Sequence, residues 1–497
     1  MAKVKPILLD GNTLTLEQVE AIARGAPVEI DPKAKQQVDA SRKLVQSYAR
    51  SAKPYYGINT GFGYFANQKI SSTQLKTLQT NLLKSHASGY GAALSLPETR
   101  VIMALRLNTL LKGHTGVRFD LCLSLQSLIT AGIYPVIPEY GSVGASGDLA
   151  PLAHLALPII GEGVVHYRGK IMPAADALKK AHLSPLQLVE KEGLGLINGT
   201  QVMLGVGTLA LLDAMRIVDK ADQVTALTYE GMVGRIEALD PLIHRLRNQS
   251  GQVESAARIR HELEGSYLFN LKTKRSRIQD PYSLRCGPQI HGPSRDAIKY
   301  ALQVCERELN AGTDNPLVFS EEEEVLSGGN FHGQALALAF DFAAMALSEI
   351  ANVSDRRLEL LLNPHMSGLP AFLSPQEGLC SGYMAAQYLS ASLVNECKLL
   401  ANPACTDSIP GNVGVEDHVS MGMTSARKLK KLVDNVSVVL SIEMVVAAQA
   451  IDLRRSGPLG KGTQKMYDAI RSVIPTLTED RILFDEINQA VELLKNL

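Results

Sequence analysis

Two long stretches without proline constrain the fold of this 497-residue chain more than any other feature. They are rich in Ala, Leu and Met, and they read QALALAFDFAAMALSEIANVSDRRLELLL (334–362) and SARKLKKLVDNVSVVLSIEMVVAAQAI (425–451). Both are typical of α-helices, because these residue types lose little side-chain freedom in a helix. Apolar residues occupy more than one face of each stretch. This predicts central helices that are covered on several sides by their own chain or by other copies of it.

The first two fifths of the chain have a different pattern. Short segments are interrupted by Gly and Pro, as in YYGINTGFGYF (55–65) and IYPVIPEYGSVGASG (133–147), with helical stretches between them such as LPETRVIMALRLNTLLKG (96–113). A chain of this length is expected to form more than one structural unit. We predict a mainly α fold, with a Gly-rich, mixed N-terminal domain (1–200) and a long central helix bundle (201–497).

Charge and cysteine usage exclude several classes of function. Lys plus Arg (50) balance Asp plus Glu (50), so the basic excess typical of nucleic-acid binders is missing. The six cysteines include no C-x-x-C pair, which indicates neither a zinc site nor a disulfide framework. The N-terminus lacks the apolar core of a signal peptide, and no uncharged run reaches membrane-spanning length. We expect a cytoplasmic protein that binds neither nucleic acid nor membrane.

The segment GSVGASGD (141–148) is unusually rich in small residues. It does not match the G-x-S-x-G nucleophile elbow, because Asp148 stands two positions after Ser146. It lacks the lysine of a phosphate-binding P-loop, and its glycines do not have the G-x-G-x-x-G spacing of dinucleotide-binding proteins. On composition alone, a tight surface loop is an equally good interpretation.

Several other Gly-rich loops carry polar or aromatic residues, as binding and catalytic loops do. They are GINTGFG (57–63), GLINGTQ (195–201), QDPYSLRCGPQ (279–289), GGNFHG (328–333) and VEDHVSMG (415–422). Together with GSVGASGD, these motifs resemble the ammonia-lyases and aminomutases that use a self-made 4-methylidene-imidazol-5-one (MIO) group. The resemblance extends from about residue 8 to the C-terminus, and it is strongest to the histidine-active branch of that family.

The most specific part of the resemblance is the tripeptide Ala145-Ser146-Gly147. In the family, the amide nitrogen of the glycine attacks the carbonyl of the alanine, and water is lost there and from the serine side chain. Gly147 offers an unhindered nitrogen and freedom in φ, Ala145 adds little bulk, and Ser146 carries the hydroxyl whose elimination leaves the methylidene. The resemblance implies that the N-terminal domain bears this MIO group, with no external cofactor and no metal.

The resemblance also assigns the base and the carboxylate-binding residue. Tyr56 would remove the β-proton of the substrate, and a phenol needs nearby positive charge or hydrogen-bond donors to do so near neutral pH. Arg285 would bind the substrate carboxylate through its guanidinium fork, a structural ion pair being the alternative. His114 and Arg118 also match the local pattern of the family, but we interpret them as structural and leave them out of the site.

Four further residues complete the predicted site. The resemblance implies that Asn198 and Tyr282 support the prosthetic group and the groups on the α-carbon of the substrate. Gln279 and Phe331 would complete the wall, although simple packing is an equal alternative for both. Members of the family are homotetramers in which loops from three chains meet at each site, so the resemblance implies a homotetramer here.

Two positions bear on the side chain of the amino-acid substrate. Histidine-active members resemble this chain at His86 (KSHASG) and Glu416 (VEDHVSMG), whereas phenylalanine-active members have an apolar residue and a glutamine there. A carboxylate pairs with imidazole but would be buried without a partner against a phenyl ring. The chain departs from the histidine-active pattern at Val415, where a polar residue is usual.

We therefore expect non-oxidative elimination of ammonia from L-histidine to give trans-urocanate. The alternatives within the family are a phenylalanine or tyrosine ammonia-lyase, since tyrosine-active members also have a histidine at the first position, or a 2,3-aminomutase. An inactive helical scaffold is the alternative from another class, and the intact tripeptide, Tyr56 and Arg285 disfavour it.

Overall fold

The computed structural model describes residues 5–271, 277–454 and 456–497. It is 61% helix and 8% strand, which confirms the prediction of a mainly α fold. Over the described residues the α-helices are α1 (Leu16–Ala23), α2 (Ala34–Ala49), α3 (Leu75–His86), α4 (Leu96–Leu111), α5 (Phe119–Ala131), α6 (Leu149–Ala156), α7 (Ala174–Lys180), α8 (Glu192–Ile197), α9 (Gln201–Met232), α10 (Pro241–Arg247), α11 (Ser250–Glu262), α12 (Tyr282–Arg285), α13 (Gly287–Leu309), α14 (Gln334–Leu362), α15 (Pro364–Ser367), α16 (Met384–Leu400), α17 (Gly422–Arg454), α18 (Lys461–Val473) and α19 (Leu483–Asn496).

The strands are short and form small separate sheets. Over the described residues they are β1 (Ile7–Leu9), β2 (Val28–Ile30), β3 (Tyr90–Ala93), β4 (Tyr134–Pro135), β5 (Pro138–Tyr140), β6 (Val164–Tyr167), β7 (Lys170–Pro173), β8 (Leu317–Phe319) and β9 (Glu324–Leu326). The pair β1–β2 is parallel, with Leu8 opposite Glu29. The pairs β3–β5 and β8–β9 and the three-stranded sheet β4–β6–β7 are antiparallel.

The chain forms two compact units that interleave along the sequence. Unit 1 comprises Met1–Leu209, Leu302–Phe340 and Pro403–Arg427, and unit 2 comprises Ala210–Ala301, Asp341–Asn402 and Lys428–Leu497. Every strand of the described residues belongs to unit 1. The division into domains at residue 200 stays a prediction.

The predicted long helices are present. The helix α14 has the predicted bounds, and α17 extends three residues beyond the predicted stretch 425–451 at each end. By length and composition α9, α14 and α17 could cross a membrane, and 72%, 61% and 78% of their most apolar windows are buried inside the protein. Most of this apolar surface therefore packs within the chain itself.

The helices of unit 1 bring three of the predicted site segments together. The helix α4 begins with a capping box, in which Ser95 Oγ accepts from Glu98 N and Ser95 N donates to Glu98 Oε2, and every residue over 101–111 is buried. The helices α3, α6 and α8 pack against one another. His86 is the last residue of α3, α6 begins directly after 145–148, and α8 ends directly before Asn198.

Unit 2 has a buried network of charged side chains among its helices. Arg357 donates to both carboxylate oxygens of Glu443, at 2.6 and 2.9 Å. His291 Nδ1 lies 2.8 Å from Asp222 Oδ1, and Arg295 donates to the other oxygen of Asp222 at 2.8 Å. Burial lowers the pKa of His291. Each buried charge has an opposite partner here, which is what a protein interior requires.

Candidate active site

A cavity of about 650 Å³ lies in unit 1 and brings together residues from five separate segments. Its lining includes four of the predicted site residues, namely Tyr56, His86, Ser146 and Glu416. The other lining residues are Gly61, Phe62, Gly63, Phe65, Gln68, Ile70, Leu78, Asn81, Leu82, Ser85, Leu149, Leu194, Ile197 and Asn412. The lining therefore combines apolar side chains with polar groups that could bind a substrate.

The tripeptide 145–147 forms a tight turn. Gly144 and Gly147 pair as an antiparallel bridge around Ala145 and Ser146, so the backbone doubles back within two residues. Ser146 has φ 51° and Gly147 has φ 75°, both in the left-handed region that favours glycine. A Cβ atom on Gly147 would collide with the carbonyl oxygen of Gly199. The turn thus requires glycine at 147 and holds Ser146 in a strained conformation.

Asp148 anchors this turn to the N-terminus of α9. Its Oδ2 accepts hydrogen bonds from the backbone N–H groups of Val202 and Met203, at 3.0 and 2.8 Å. Ser142 Oγ donates to its Oδ1 at 2.8 Å and accepts from Gly144 N at 3.2 Å. Burial raises the pKa of Asp148 to about 6, although these hydrogen bonds act in the opposite direction.

Asn198 lies beside the tripeptide turn, since Gly199 bridges to Gly147. Its Nδ2 donates to Asn315 O at 2.9 Å, and its carbonyl accepts from Arg106 Nη1 at 3.1 Å. Its Oδ1 is buried and has no hydrogen-bond partner among the described residues. Arg106 is not among the predicted site residues, although an arginine in the middle of an apolar helix is an unusual feature that could have pointed to it.

Tyr56 lies on the Gly-rich loop 56–65, which we call the tyrosine loop. Its hydroxyl oxygen accepts a hydrogen bond from Gly63 N at 3.4 Å. Burial raises the pKa of Tyr56, and the charges of Glu416 and Asp314 raise it further, while the Gly63 N–H lowers it. The surroundings of this phenol within unit 1 therefore favour its protonated form.

His86 and Glu416 both present acceptor atoms. His86 Nδ1 lies 3.0 Å from the carbonyl oxygen of Leu82 and 2.9 Å from Ser85 Oγ. Because a carbonyl can only accept, Nδ1 carries a proton, and Nε2 of the neutral ring is an acceptor. Glu416 Oε1 accepts from Asn412 Nδ2 at 3.2 Å.

Several other cavity residues were not predicted, although the spacing of some of them along a helix could have identified them. Leu78, Asn81, Leu82 and Ser85 lie on the same face of α3 as His86, at spacings of three and four residues. Extending this face back from His86 would have found them. Asn412 had no such signal, because its contact with Glu416 depends on the path of the loop.

The remaining predicted residues do not line the cavity. Gln279, Tyr282 and Arg285 belong to unit 2, and Tyr282 is 70% exposed. The guanidinium carbon of Arg285 lies 4.6 Å from the centre of the Tyr282 ring, and its Nε donates to Asp280 O at 2.8 Å. Phe331 is half-buried in unit 1, three residues before α14.

His114 and Arg118, which we interpret as structural, contact other residues of unit 1. His114 Nδ1 lies 2.9 Å from Val318 O. Arg118 binds both oxygens of Glu192, the first residue of α8, at 2.8 and 2.7 Å. Over the described ranges, no group of three or more His, Cys, Asp or Glu side chains is arranged to hold a metal ion, and the six cysteines are free thiols.

The chain is similar to known proteins along nearly its whole length. Residues 14–472 match the family model described as aromatic amino acid lyase. The histidine ammonia-lyase of Treponema denticola is 49% identical over 99% of this chain and 97% of the relative. The crystal structure of histidine ammonia-lyase from Trypanosoma cruzi is 39% identical, with a TM-score of 0.91 over 99% of this chain and 94% of that one. The tyrosine aminomutase of Streptomyces globisporus is 37% identical, with a TM-score of 0.94 over 99% and 97%. The chain belongs to the aromatic amino acid lyase family.

Proposed function

We propose that this protein acts as a histidine ammonia-lyase, which eliminates ammonia from L-histidine to give trans-urocanate. The observation that carries the proposal is the shared cavity, in which His86 and Glu416 accompany Ser146 and Tyr56. The 49% identity over nearly the whole length to a protein named histidine ammonia-lyase supports it.

The proposal includes an MIO group formed from Ala145-Ser146-Gly147. The bridge between Gly144 and Gly147 supports this, because it bends the backbone back on itself at the bonds that must react. The unpartnered Oδ1 of Asn198 offers an acceptor for amine hydrogens beside this turn. When formed, the group supplies an electrophile for the substrate amine, which makes ammonia a better leaving group.

Tyr56 is the proposed base. It takes the β-proton of the substrate, the electron pair of that bond forms the Cα–Cβ double bond, and the Cα–N bond breaks to release ammonia. The Gly63 N–H stabilises the phenolate, but burial and Glu416 oppose it. Additional positive charge is therefore needed near Tyr56, and we assign this role to Arg285, which also binds the substrate carboxylate.

We propose that His86 and Glu416 bind the side chain of the substrate and determine specificity for it. An imidazolium ring has two N–H donors, and it matches two acceptors, His86 Nε2 and a carboxylate oxygen of Glu416. Phenylalanine has no donor for either acceptor. A site built to pair a polar group can reject an analogue that lacks it by as much as ~10⁴-fold.

The proposed assembly is a cytoplasmic homotetramer with composite sites. Phe342 and Met345 on α14 and Tyr300 on α13 are large apolar residues that are exposed in the single chain, and the rings of Tyr300 and Phe342 lie 6.1 Å apart. Such an exposed apolar surface is typical of a subunit interface. From the family resemblance, we propose that residues 279–285 of a neighbouring copy complete the cavity of unit 1, with Phe331 and Asn198 in supporting positions.

The function is tested by incubating the purified protein separately with L-histidine, L-phenylalanine and L-tyrosine and following the ultraviolet absorbance of the unsaturated acids. We expect urocanate from L-histidine. The intact mass should be two waters below the sequence mass, and Ser146→Ala should abolish both the mass deficit and the activity. Preference for phenylalanine or tyrosine, or formation of a β-amino acid as in an aminomutase, would contradict the proposal.

A further inference from the structure

The loop that carries Glu416 has an unusual backbone. We call residues 411–416 the glutamate turn. Asn412 and Val413 have φ 50° and 55°, and Gly414 follows with φ 84°, so three consecutive residues are left-handed and two of them are not glycine. Such strain persists only where surrounding contacts impose it, and it is common at functional sites.

Backbone hydrogen bonds close the glutamate turn. Gly411 N donates to Glu416 O at 2.9 Å, and Glu416 N donates to Gly411 O at 3.4 Å, so the two ends of the turn pair as an antiparallel bridge. Gly414 N also donates to Gly411 O, at 2.9 Å. The closed turn folds the side chain of Asn412 back onto Glu416, which is four residues away.

The amide of Asn412 bonds in two directions. Its Nδ2 donates to Glu416 Oε1 at 3.2 Å, and its Oδ1 accepts from Tyr64 N at 3.1 Å. Tyr64 lies in the tyrosine loop, next to Gly63, whose N–H donates to the hydroxyl of Tyr56. A Cβ atom on Gly63 would collide with the Asn412 amide, so the tyrosine loop packs closely against this side chain.

We propose that Asn412 is a positioning residue that holds the Glu416 carboxylate and the tyrosine loop in a fixed relation to each other. This inference rests on the proposed function. Asn412 holds one carboxylate oxygen of Glu416 and leaves the other for the imidazole of the substrate. Asn412 thereby gives Glu416 a polar contact that Val415, its neighbour in sequence, cannot make, since the side chain of Val415 is apolar and 58% exposed. One amide then aligns Glu416, which contacts the imidazole, with Tyr56, which removes the β-proton.

The central test is Asn412→Gly. Glycine adopts φ 50° without strain, so the variant keeps or relaxes the turn and removes only the side chain. A hydrogen bond to a charged group contributes enough for roughly a 10- to 100-fold effect. We expect kcat/KM for L-histidine to fall by that factor, with a smaller loss on L-phenylalanine, whose turnover depends on the tyrosine loop but not on Glu416, and with the mass deficit of two waters retained.

Two further variants make the test specific. Val413→Gly relieves the same kind of strain at the next residue, whose side chain is 81% exposed, and should leave kcat/KM for both amino acids unchanged. Asn412→Asp keeps an acceptor for Tyr64 N but removes the donor to Glu416, so its loss on L-histidine should be at least as large as that of Asn412→Gly.

The outcomes separate the inference from the proposed function. If the unaltered protein does not turn over L-histidine, the proposed function fails and the inference fails with it. If it does, but Asn412→Gly behaves like Val413→Gly, or loses both substrates equally, Asn412 does not position Glu416 and the inference alone is overturned.

Discussion

Replacing Asp148 by Asn should stabilise the folded protein at neutral pH. The carboxyl of Asp148 is buried, and burial raises its pKa from 3.8 to about 6. This is a rise of about two pKa units at about 1.4 kcal/mol each, so keeping the group ionised costs the folded state about 3 kcal/mol. The amide introduced by Asp148→Asn could retain the hydrogen bonds, with its oxygen accepting from Val202 and Met203 and its nitrogen donating to Ser142 Oγ.

The pH dependence gives the sign of this effect. Between pH 3.8 and 6 the folded state binds more protons at Asp148 than the unfolded state does, so this contribution to stability falls as pH rises through that window. Asp148→Asn lacks the titration. Its advantage over the unaltered protein should therefore grow with pH, from about 1.5 kcal/mol at pH 5 to about 3 kcal/mol at pH 7.5.

The assay is denaturant unfolding of both proteins at pH 5 and 7.5, at one fixed protein concentration because the chain is expected to assemble. Asp10→Asn is the control of opposite sign. Partial burial acts to raise the pKa of Asp10, but hydrogen bonds outweigh it and lower the pKa. This variant should therefore lose stability at both pH values. If Asp148→Asn is less stable than the unaltered protein at pH 7.5, or if the difference does not change with pH, the hydrogen bonds of the carboxylate outweigh its desolvation and the reasoning is refuted.

The remaining predictions concern catalysis and assembly. Glu416→Gln should lower kcat/KM for L-histidine roughly 10- to 100-fold and spare L-phenylalanine. His86→Leu should lower the ratio of kcat/KM for L-histidine to that for L-phenylalanine further; an unchanged ratio would show that neither residue contacts the imidazole. Burial raises the pKa of Tyr56, and the proposed positive charge of Arg285 offsets this only in part, so the phenolate fraction and kcat/KM should rise between pH 7 and 9; a flat profile would contradict Tyr56 as the base. Refolding a mixture of inactive Tyr56→Phe and Arg285→Ala chains should restore part of the activity, because some sites then combine an intact Tyr56 with an intact Arg285. If light scattering shows that the active protein is a monomer, the proposal of composite sites is wrong.

The sequence predicts some parts of this fold well for a physical reason. The helix α14 has the predicted bounds because helix-forming residues fill it and a proline follows at 364. The helix α17 continues past the predicted stretch at both ends, to Gly422 and Arg454, where local sequence carries no clear stop signal. Element type follows from composition and periodicity, whereas ends depend on the contacts of the last turn.

The candidate site divides in a similar way. Tyr56, Ser146 and Glu416 could be found because they lie in Gly-rich motifs that resemble a known family. Asn412 could not, because its contact with Glu416 exists only in a turn that also needs a left-handed conformation at Val413, which no propensity predicts for Val. The sequence also does not say which copy of the chain supplies Arg285 to a given cavity, since that depends on assembly and not on local pattern.

The hydrogen bonds that hold the tripeptide turn have a consequence for the order of events during synthesis. Besides the bonds to α9, Val143 O accepts a hydrogen bond from Met421 N, which the ribosome adds late. Until that residue has emerged, the tripeptide turn is held by fewer contacts than in the complete chain, and Glu416 has not yet joined the cavity. Under the proposed function, we therefore expect the electrophile to form in a nearly finished chain, where the cavity shields it from the amines and thiols of the cell.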